Sequence, residues 1–261
     1  MDEVTKRPME RAVCIMAALS WGGVMTAKAT MSYFAVHIGL TAGQLGWLGC
    51  GMSLVAFFSA LAAGRYVSVC GHHVTLLLTS LVGTTVCVAA TSLIKSLTAL
   101  LVIRLLMGLF SGPVYTLLAY TIRRTSRPET YSTNIGLITL GEATISGILW
   151  PTMVVTLIGL WGWRFANSAL ISPLVVFICG WGLISRRISA EQSPVEKEDN
   201  ARFKALLRNK NVVLCCFLGV FSMMAALIIY SYAPLYWLQV GGCTEPQMGV
   251  LMTGMGIFMA I

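Results

Sequence analysis

The sequence predicts an all-α membrane protein, a polytopic bundle of helices that cross the bilayer. Of its 261 residues, 57% are apolar and 11% are charged, whereas soluble domains have roughly 45–50% apolar and about 25% charged residues. Apolar segments of about 20 residues recur, each long enough to cross a hydrocarbon core of roughly 30 Å. Gln44–Phe57 also aligns with Gln247–Ala260, at an offset of 203 residues. This repeat indicates a helix made once in each half of a duplicated membrane protein.

The apolar segments predict the spans in order. The first is too long for the apolar region of a signal peptide, which has roughly 7–15 residues, and is expected to remain in the protein. Pro234 in the seventh span is a candidate interruption at a gate, with ordinary packing the equal alternative. The last span, from Met248 onward, has about 14 residues, too few to cross the bilayer alone. The earlier spans are Val13–Val36, Leu45–Ala63, Val74–Ile94, Leu97–Ile122, Ser132–Leu160, Phe165–Ile184 and Val212–Leu238.

The basic residues predict which side of the membrane each loop occupies. Fourteen of the 18 Lys and Arg residues fall in the N-terminal tail and in the links after the second, fourth and sixth spans. The opposite side has only Lys95 and Arg164. Because cytoplasmic loops carry the excess of Lys and Arg, we expect a cytoplasmic N-terminus and a location in the inner (plasma) membrane of the cell. The net charge of +8 then lies beside anionic headgroups and does not indicate nucleic-acid binding.

Composition divides the chain into three parts. Residues 1–184 are predicted to form a six-helix bundle, residues 185–211 a polar cytoplasmic connector, and residues 212–261 the start of a second bundle. The end of the connector, Ala201–Arg208, has the pattern of a short amphipathic helix at the membrane surface. Since the second bundle has only about two helices, we expect this chain to be a truncated form of a protein with two complete repeats.

The turn between the second and third spans contains two glycines seven residues apart, Gly64 and Gly71. Ser68 lies between them, and His72 and His73 follow as predicted loop residues. The pattern resembles the Gly-x-x-x-Asp-x-x-Gly-Arg-Arg/Lys signature of the major facilitator superfamily. Here Ser replaces the Asp and two His replace the basic pair. The resemblance implies that the five residues form a gate or conformational motif that lacks the family's usual charge contacts.

Further matches follow in order along the chain. Arg104 and Gly108 in the fourth span resemble the family's Arg-x-x-x-Gly pattern. The glycine-rich fifth span resembles the fifth helix of the family but lacks the Gly-Pro-x-x-Gly-Gly core of drug/proton antiporters. Trp161–Phe165 resembles the outer turn that opens the sixth helix. Together these motifs show that the chain resembles one complete half of a major facilitator superfamily protein and the start of the other half. The resemblance implies alternating access about a midplane site.

Three charged residues lie well inside apolar spans: Lys28, Arg104 and Glu142. A charge at the bilayer centre costs roughly 2.5–3.5 kcal/mol, so each should face a cavity or another charge. Glu142 lies about 16 Å from the cytoplasmic end of its helix, and both cations lie about 10–12 Å from the outer ends of theirs. Tyr115 falls on the same helix face as Arg104.

Two interpretations of these residues remain open. In the functional one, Arg104, Lys28 and Tyr115 bind an anionic substrate while Glu142 exchanges the coupling proton, as carboxylates do in membrane proton relays. In the structural one, Glu142 forms an ion pair with Arg104 or Lys28 that locks the bundle. Lys28 also has the length to extend to the outer interface.

The sequence favours transport over catalysis. It has no nucleophile–base pair, phosphate-binding loop or cluster of metal ligands, so no enzymatic activity, metal or other cofactor is predicted. The favoured function is proton-coupled symport of a small organic anion. The alternatives are a sugar symporter, a drug exporter of the same fold, and a truncated membrane protein that does not transport.

The predicted topology can be tested by amine labelling of intact cells. A membrane-impermeant reagent added from outside should modify Lys95 and leave Lys197 unmodified, because the two residues lie on opposite sides of the membrane. Permeabilised cells, in which both lysines should react, provide the control. Labelling of Lys197 but not Lys95 in intact cells would contradict the topology.

Overall fold

A computed structural model describes residues 3–94, 96–190 and 208–260, and the regular structure within these ranges is helical. A π-helix, Ala143–Leu149, joins α5 to α6 without a break. The α-helices are α1 (Glu3–Ile38), α2 (Ala42–Cys70), α3 (His73–Leu93), α4 (Leu97–Thr125), α5 (Tyr131–Glu142), α6 (Trp150–Trp161), α7 (Trp163–Ala169), α8 (Ile171–Ala190), α9 (Lys210–Gln239) and α10 (Glu245–Ala260).

The described residues contain six helical segments that are long and apolar enough to cross a membrane, which confirms the predicted all-α fold. The fifth segment, Tyr131–Trp161, combines α5, the π-helix and α6, and the sixth, Trp163–Ser185, combines α7 with most of α8. The first four are Pro8–Phe34, Ala42–Cys70, His73–Leu93 and Leu97–Thr125. Their mostly polar connections are short, so consecutive helices run antiparallel and pack as neighbours.

Two features differ from the sequence prediction, and a third is not tested. The interruption considered at Pro234 is absent, since α9 continues through this residue to Gln239; proline is tolerated in membrane helices where neighbouring groups satisfy the freed backbone. Helix α8 continues to Ala190, so residues 185–190 of the predicted connector are helical. The amphipathic helix predicted over residues 201–208 lies outside the described residues except for its last position.

Both copies of the internal repeat begin with the same turn. Gly39 and Gly242 occupy equivalent positions and have φ angles of 76° and 63°, a left-handed conformation that favours glycine. In Thr41–Gln44, the Thr N–H donates to the Gln side chain at 3.0 Å, and the Gln N–H donates to the Thr hydroxyl at 3.3 Å. In Thr244–Gln247, the Thr N–H again donates to the Gln side chain, at 2.9 Å. The structural similarity of the two halves therefore begins before Gln44.

Helices α2 and α4 approach so closely that backbone meets backbone. A Cβ atom at Gly108 would overlap the carbonyl of Met52, and one at Gly112 would overlap that of Ala56. The Ser59 hydroxyl lies 3.3 Å from the Gly108 carbonyl and can donate to it across the interface. Small residues permit such contacts in membranes, where helix association depends on close packing and polar contacts.

Some contacts of α9 and α10 with the first six spans lie at the helix ends that we predict to face outside. There an apolar cluster combines Leu235 of α9 with residues of the first, second and fourth spans and of the α1–α2 link. His37 Nε2 lies 3.1 Å from Glu245 Oε1, so α1 and α10 are joined at the same end. Near the opposite end of α9, Phe217 and Phe221 are exposed. The members of the apolar cluster are Met31, Leu40, Leu45, Leu48, Leu100 and Leu235.

The close packing of α4 can be tested by placing a large side chain at Gly108. Gly108→Leu should lower the stability of the purified protein by about 1–3 kcal/mol or prevent folding, because overpacking forces the helices apart. Gly136→Leu is the matched control, since a Cβ atom at Gly136 would have no neighbour within 4 Å. Thermal unfolding and size-exclusion chromatography in detergent measure the effect. Equal stability of the two variants would contradict the observed α2–α4 contact.

Candidate functional site

Trp21 of α1 lies at the centre of a partly exposed polar cluster between α1, α4 and α5. Its indole Nε1–H donates to Glu142 Oε2 at 2.7 Å. Its ring packs against that of Tyr115 from α4, with the ring centroids 5.0 Å apart and the planes tilted by 57°. The ammonium group of Lys28 lies 5.4 Å from the centroid of the Trp21 ring. The structure thus brings together three of the predicted site residues, from three different spans, around a tryptophan.

Glycines bring α1 and α5 close enough for this arrangement. Gly22 follows Trp21, and a Cβ atom there would lie 2.6 Å from the Gly141 carbonyl oxygen. Gly141 precedes Glu142, and a Cβ atom there would overlap the backbone of Ala18. The two backbones are therefore in contact at this level, which places the Glu142 carboxylate within reach of the indole.

Lys28 turns into the bundle instead of extending to the outer interface. It lies two helical turns after Trp21 on the same face of α1. Because helical side chains lean toward the N-terminus, the Lys28 ammonium reaches back over the indole ring. It also interacts electrostatically with Glu142, although the described residues include no ion pair to Glu142 within 4.0 Å. The Lys28 side chain therefore does not snorkel to the outer interface, which was one of the alternatives that the sequence left open.

Arg104 is buried without a carboxylate partner among the described residues. Its side chain is 3% exposed, its Nη1 lies 3.5 Å from the Lys28 carbonyl oxygen, and the same nitrogen lies 3.6 Å from Met107 Sδ. Arg104 Nε and the hydroxyl of Ser111, on the same face of α4, have no hydrogen-bond partner in the part of the chain that the structure describes. The ion pair between Arg104 and Glu142 considered from the sequence is thus not formed in the described structure.

The π-helix begins directly after Glu142. Seven residues, Ala143–Leu149, adopt this wider helix, which is rare and frequently found at functional sites. It packs against α10, where a Cβ atom at Gly256 would overlap the backbone of Gly147. Thr253 of α10 can donate to the Ile148 carbonyl at 3.4 Å. A change in the conformation of the π-helix would therefore alter both the position of Glu142 and the contact with α10.

The predicted gate motif forms the turn between α2 and α3. Gly71 ends α2 with a φ of 73°, and its N–H donates to the Val67 carbonyl at 3.0 Å. The Ser68 hydroxyl donates to the Arg65 carbonyl at 2.8 Å and so makes a contact within its own helix. Gly64 lies inside α2, where a Cβ atom would meet only Thr116 at 3.9 Å.

One of the two histidines in this motif is not a loop residue. His72 precedes α3, but His73 is the first residue of that helix and is completely buried. Its ring packs edge-on against Tyr120, with the centroids 5.0 Å apart, and the guanidinium of Arg124 lies 5.2 Å from the same tyrosine ring. The prediction that His73 lies in a loop was wrong, since α3 begins one residue before the predicted Val74 and the His73 ring packs against Tyr120 of α4.

Sequence reasoning missed a second buried acid, Glu10. It is 6% exposed and accepts hydrogen bonds from Asn134 Nδ2 at 2.7 Å and from the Thr130 hydroxyl. Arg127 Nε lies 3.6 Å from its other oxygen. The network ties α1 to the α4–α5 turn. Three basic neighbours in the tail made Glu10 look like a solvent-exposed residue, and its position three residues before Val13 was the available signal.

Comparison with known proteins places these features in a family. Residues 13–261 match the model of the Major Facilitator Superfamily. No match was found among curated proteins.

Two solved bacterial structures have a similar fold. One is a bacterial homologue of the human lysosomal transporter Spinster in an inward-facing, unoccupied conformation (TM-score 0.76, 14% identity), and the match covers 100% of this chain and 60% of that one. The other is a bacterial homologue of the human drug peptide transporters PepT1 and PepT2 (TM-score 0.60, 14% identity), with coverage of 97% and 54%. The chain thus spans little more than half the length of these structures.

Proposed function

The chain belongs to the Major Facilitator Superfamily, and on that premise we propose that it moves a small solute across a membrane by alternating access. It is a multi-pass membrane protein with six apolar spans in its described residues. The proposed site lies between α1, α4 and α5, where polar and aromatic side chains meet inside the bundle. We propose the plasma membrane as its location, with a cytoplasmic N-terminus, and transport without enzymatic activity.

The buried guanidinium of Arg104 supports an anionic substrate. Burial of a charge is costly unless the charge is paired, and the described residues provide Arg104 with only a carbonyl oxygen and a thioether sulfur. Arg104 Nε has no hydrogen-bond partner among the described residues, and the fork of donors on a planar guanidinium suits the two oxygens of a carboxylate. This is the observation that carries the proposal of an organic anion as substrate, with Lys28 as a second positive charge and Tyr115 as an aromatic wall.

Glu142 is the proposed proton-coupling residue. When ionised it accepts from the Trp21 indole, and when protonated its hydroxyl group becomes a donor. Intramembrane carboxylates of this kind mark proton relays in transporters. Uptake of a proton together with a monovalent organic anion would move no net charge. The pH difference across the membrane, and not the membrane potential, would therefore drive accumulation. The adjacent π-helix gives this site a direct connection to α10.

Removal of the Arg104 charge should strongly reduce transport without preventing membrane insertion. Truncating a buried, hydrogen-bonded charge costs about 2–5 kcal/mol of binding, so Arg104→Ala should weaken uptake by roughly 30-fold or more. The measurement is uptake of radiolabelled lactate, succinate and citrate by cells that express the longest reading frame containing this chain. Arg164→Ala is the control, because Arg164 lies over the Trp163 ring, away from the cluster. Loss of insertion in Arg104→Ala would favour the structural role instead.

Neutralisation of Glu142 should separate binding from proton coupling. Glu142→Gln keeps an oxygen that can accept from Trp21 but cannot exchange a proton. We expect it to lose accumulation driven by an imposed pH gradient while it retains exchange of labelled for unlabelled substrate. Glu129→Gln, at an exposed acid in the α4–α5 turn, should behave as the wild type. Unchanged accumulation in Glu142→Gln would exclude the coupling role.

A further inference from the structure

The remaining member of the polar cluster is Trp21, to which the proposed function assigns no role. Its N–H edge meets the Glu142 carboxylate, one face contacts the Tyr115 ring, and the Lys28 ammonium lies over the ring. A single side chain thus contacts an acid, a base and an aromatic group that come from three spans.

We propose that Trp21 is a positioning residue that holds the ionised form of Glu142 and thereby sets the pH at which this carboxyl group takes up a proton. The inference rests on the proposed role of Glu142 as the coupling site. Trp21 itself neither gains nor loses a proton; it acts through the geometry and the charge state of Glu142.

The chemistry of the indole group supports this role. The indole N–H can only donate, and a hydrogen bond from a neutral donor to a carboxylate is stronger than one to a protonated carboxyl group. The bond of 2.7 Å therefore favours the ionised acid. The ring face also attracts the Lys28 ammonium through the cation–π interaction, which keeps a positive charge near the same carboxylate. Among the amino-acid side chains, only tryptophan combines an edge donor of this kind with so large a π face.

Few other ionisable groups surround Glu142. Lys28 approaches from α1 and Tyr115 from α4, and both interact with it electrostatically. Helix α10 packs against the π-helix, but its ionisable residue, Glu245, lies at its first position and pairs with His37. The indole N–H donates the hydrogen bond that the described residues provide to the carboxylate, and its removal should be measurable.

A second buried tryptophan provides a matched control. Trp181 is fully buried, and its Nε1–H donates to the Ser20 hydroxyl at 2.9 Å. Its partner is neutral and does not titrate, and no cation–π contact to Trp181 occurs among the described side chains. Replacement of Trp181 thus removes a similar hydrogen bond and a similar volume but no hydrogen bond to Glu142.

The test is an infrared pH titration of the purified full chain in lipid nanodiscs. The carbonyl stretch of protonated Glu142 is identified as the band that is missing in Glu142→Gln. Trp21→Phe keeps a ring beneath Lys28 and beside Tyr115 but lacks the N–H donor. Because a donor to the ionised form has been removed, we expect the midpoint of this band to move to higher pH by about one unit, a tenfold change in proton affinity. Trp181→Phe should leave the midpoint unchanged.

Equal midpoints in Trp21→Phe and the wild type, or the absence of a titrating Glu142 band, would overturn the proposal. If Trp21→Phe fails to fold, the benzothiophene analogue of tryptophan at position 21 removes the N–H at constant shape and should produce the same shift. The titration requires no transport. A shifted midpoint combined with accumulation that is independent of Glu142 would therefore leave the positioning role intact and overturn the proposed function alone.

Discussion

A bilayer offers charged groups nothing to bind, so every charge inside it must find partners within the bundle. This constraint organises the centre of the protein. The Glu142 carboxylate is held by an indole N–H, and the ammonium of Lys28 lies over the same indole ring. The Arg104 guanidinium contacts a backbone carbonyl and a sulfur atom. The Arg104 charge is therefore incompletely paired among the described residues, and this incomplete pairing is the basis of the proposed anion site.

Close backbone contact is the second requirement, because the polar groups are short and their helices must approach to within their reach. Gly22 and Gly141 allow α1 and α5 to touch beside Trp21 and Glu142. Glycines also allow close backbone contact between α2 and α4 and between the π-helix and α10. Glycine thus contributes twice, since it permits helix packing in a medium without a hydrophobic driving force and sets the distances between the charged side chains.

The fold was predictable because composition and apolar length follow directly from the thickness of the bilayer. The direction of a long side chain does not follow from composition or length, as Lys28 shows. The sequence predicts that its backbone lies at the same depth as that of Arg104, but its ammonium extends to Trp21. Glu10 and His73 were misjudged for a related reason, since both are buried by residues distant in sequence, Asn134 and Tyr120 respectively. The bond between Trp21 and Glu142 joins positions in separate spans, and neither residue alone indicates the other.

The π-helix has a consequence for the history of the fifth span. A π-helix accommodates about one residue more per turn than an α-helix, so a single inserted residue in an ancestral α-helix is enough to create it. In an uninterrupted α-helix that residue would rotate everything that follows by about 100°, and the wider π-helical turns take up this rotation. Helix α6, with Trp150 buried and Thr152 2.9 Å from Thr253 of α10, would in an uninterrupted α-helix present a different face to its neighbours. The π-helix thus lets the fifth span take up one additional residue while α6 keeps its contact face toward α10 and Glu142 keeps its place.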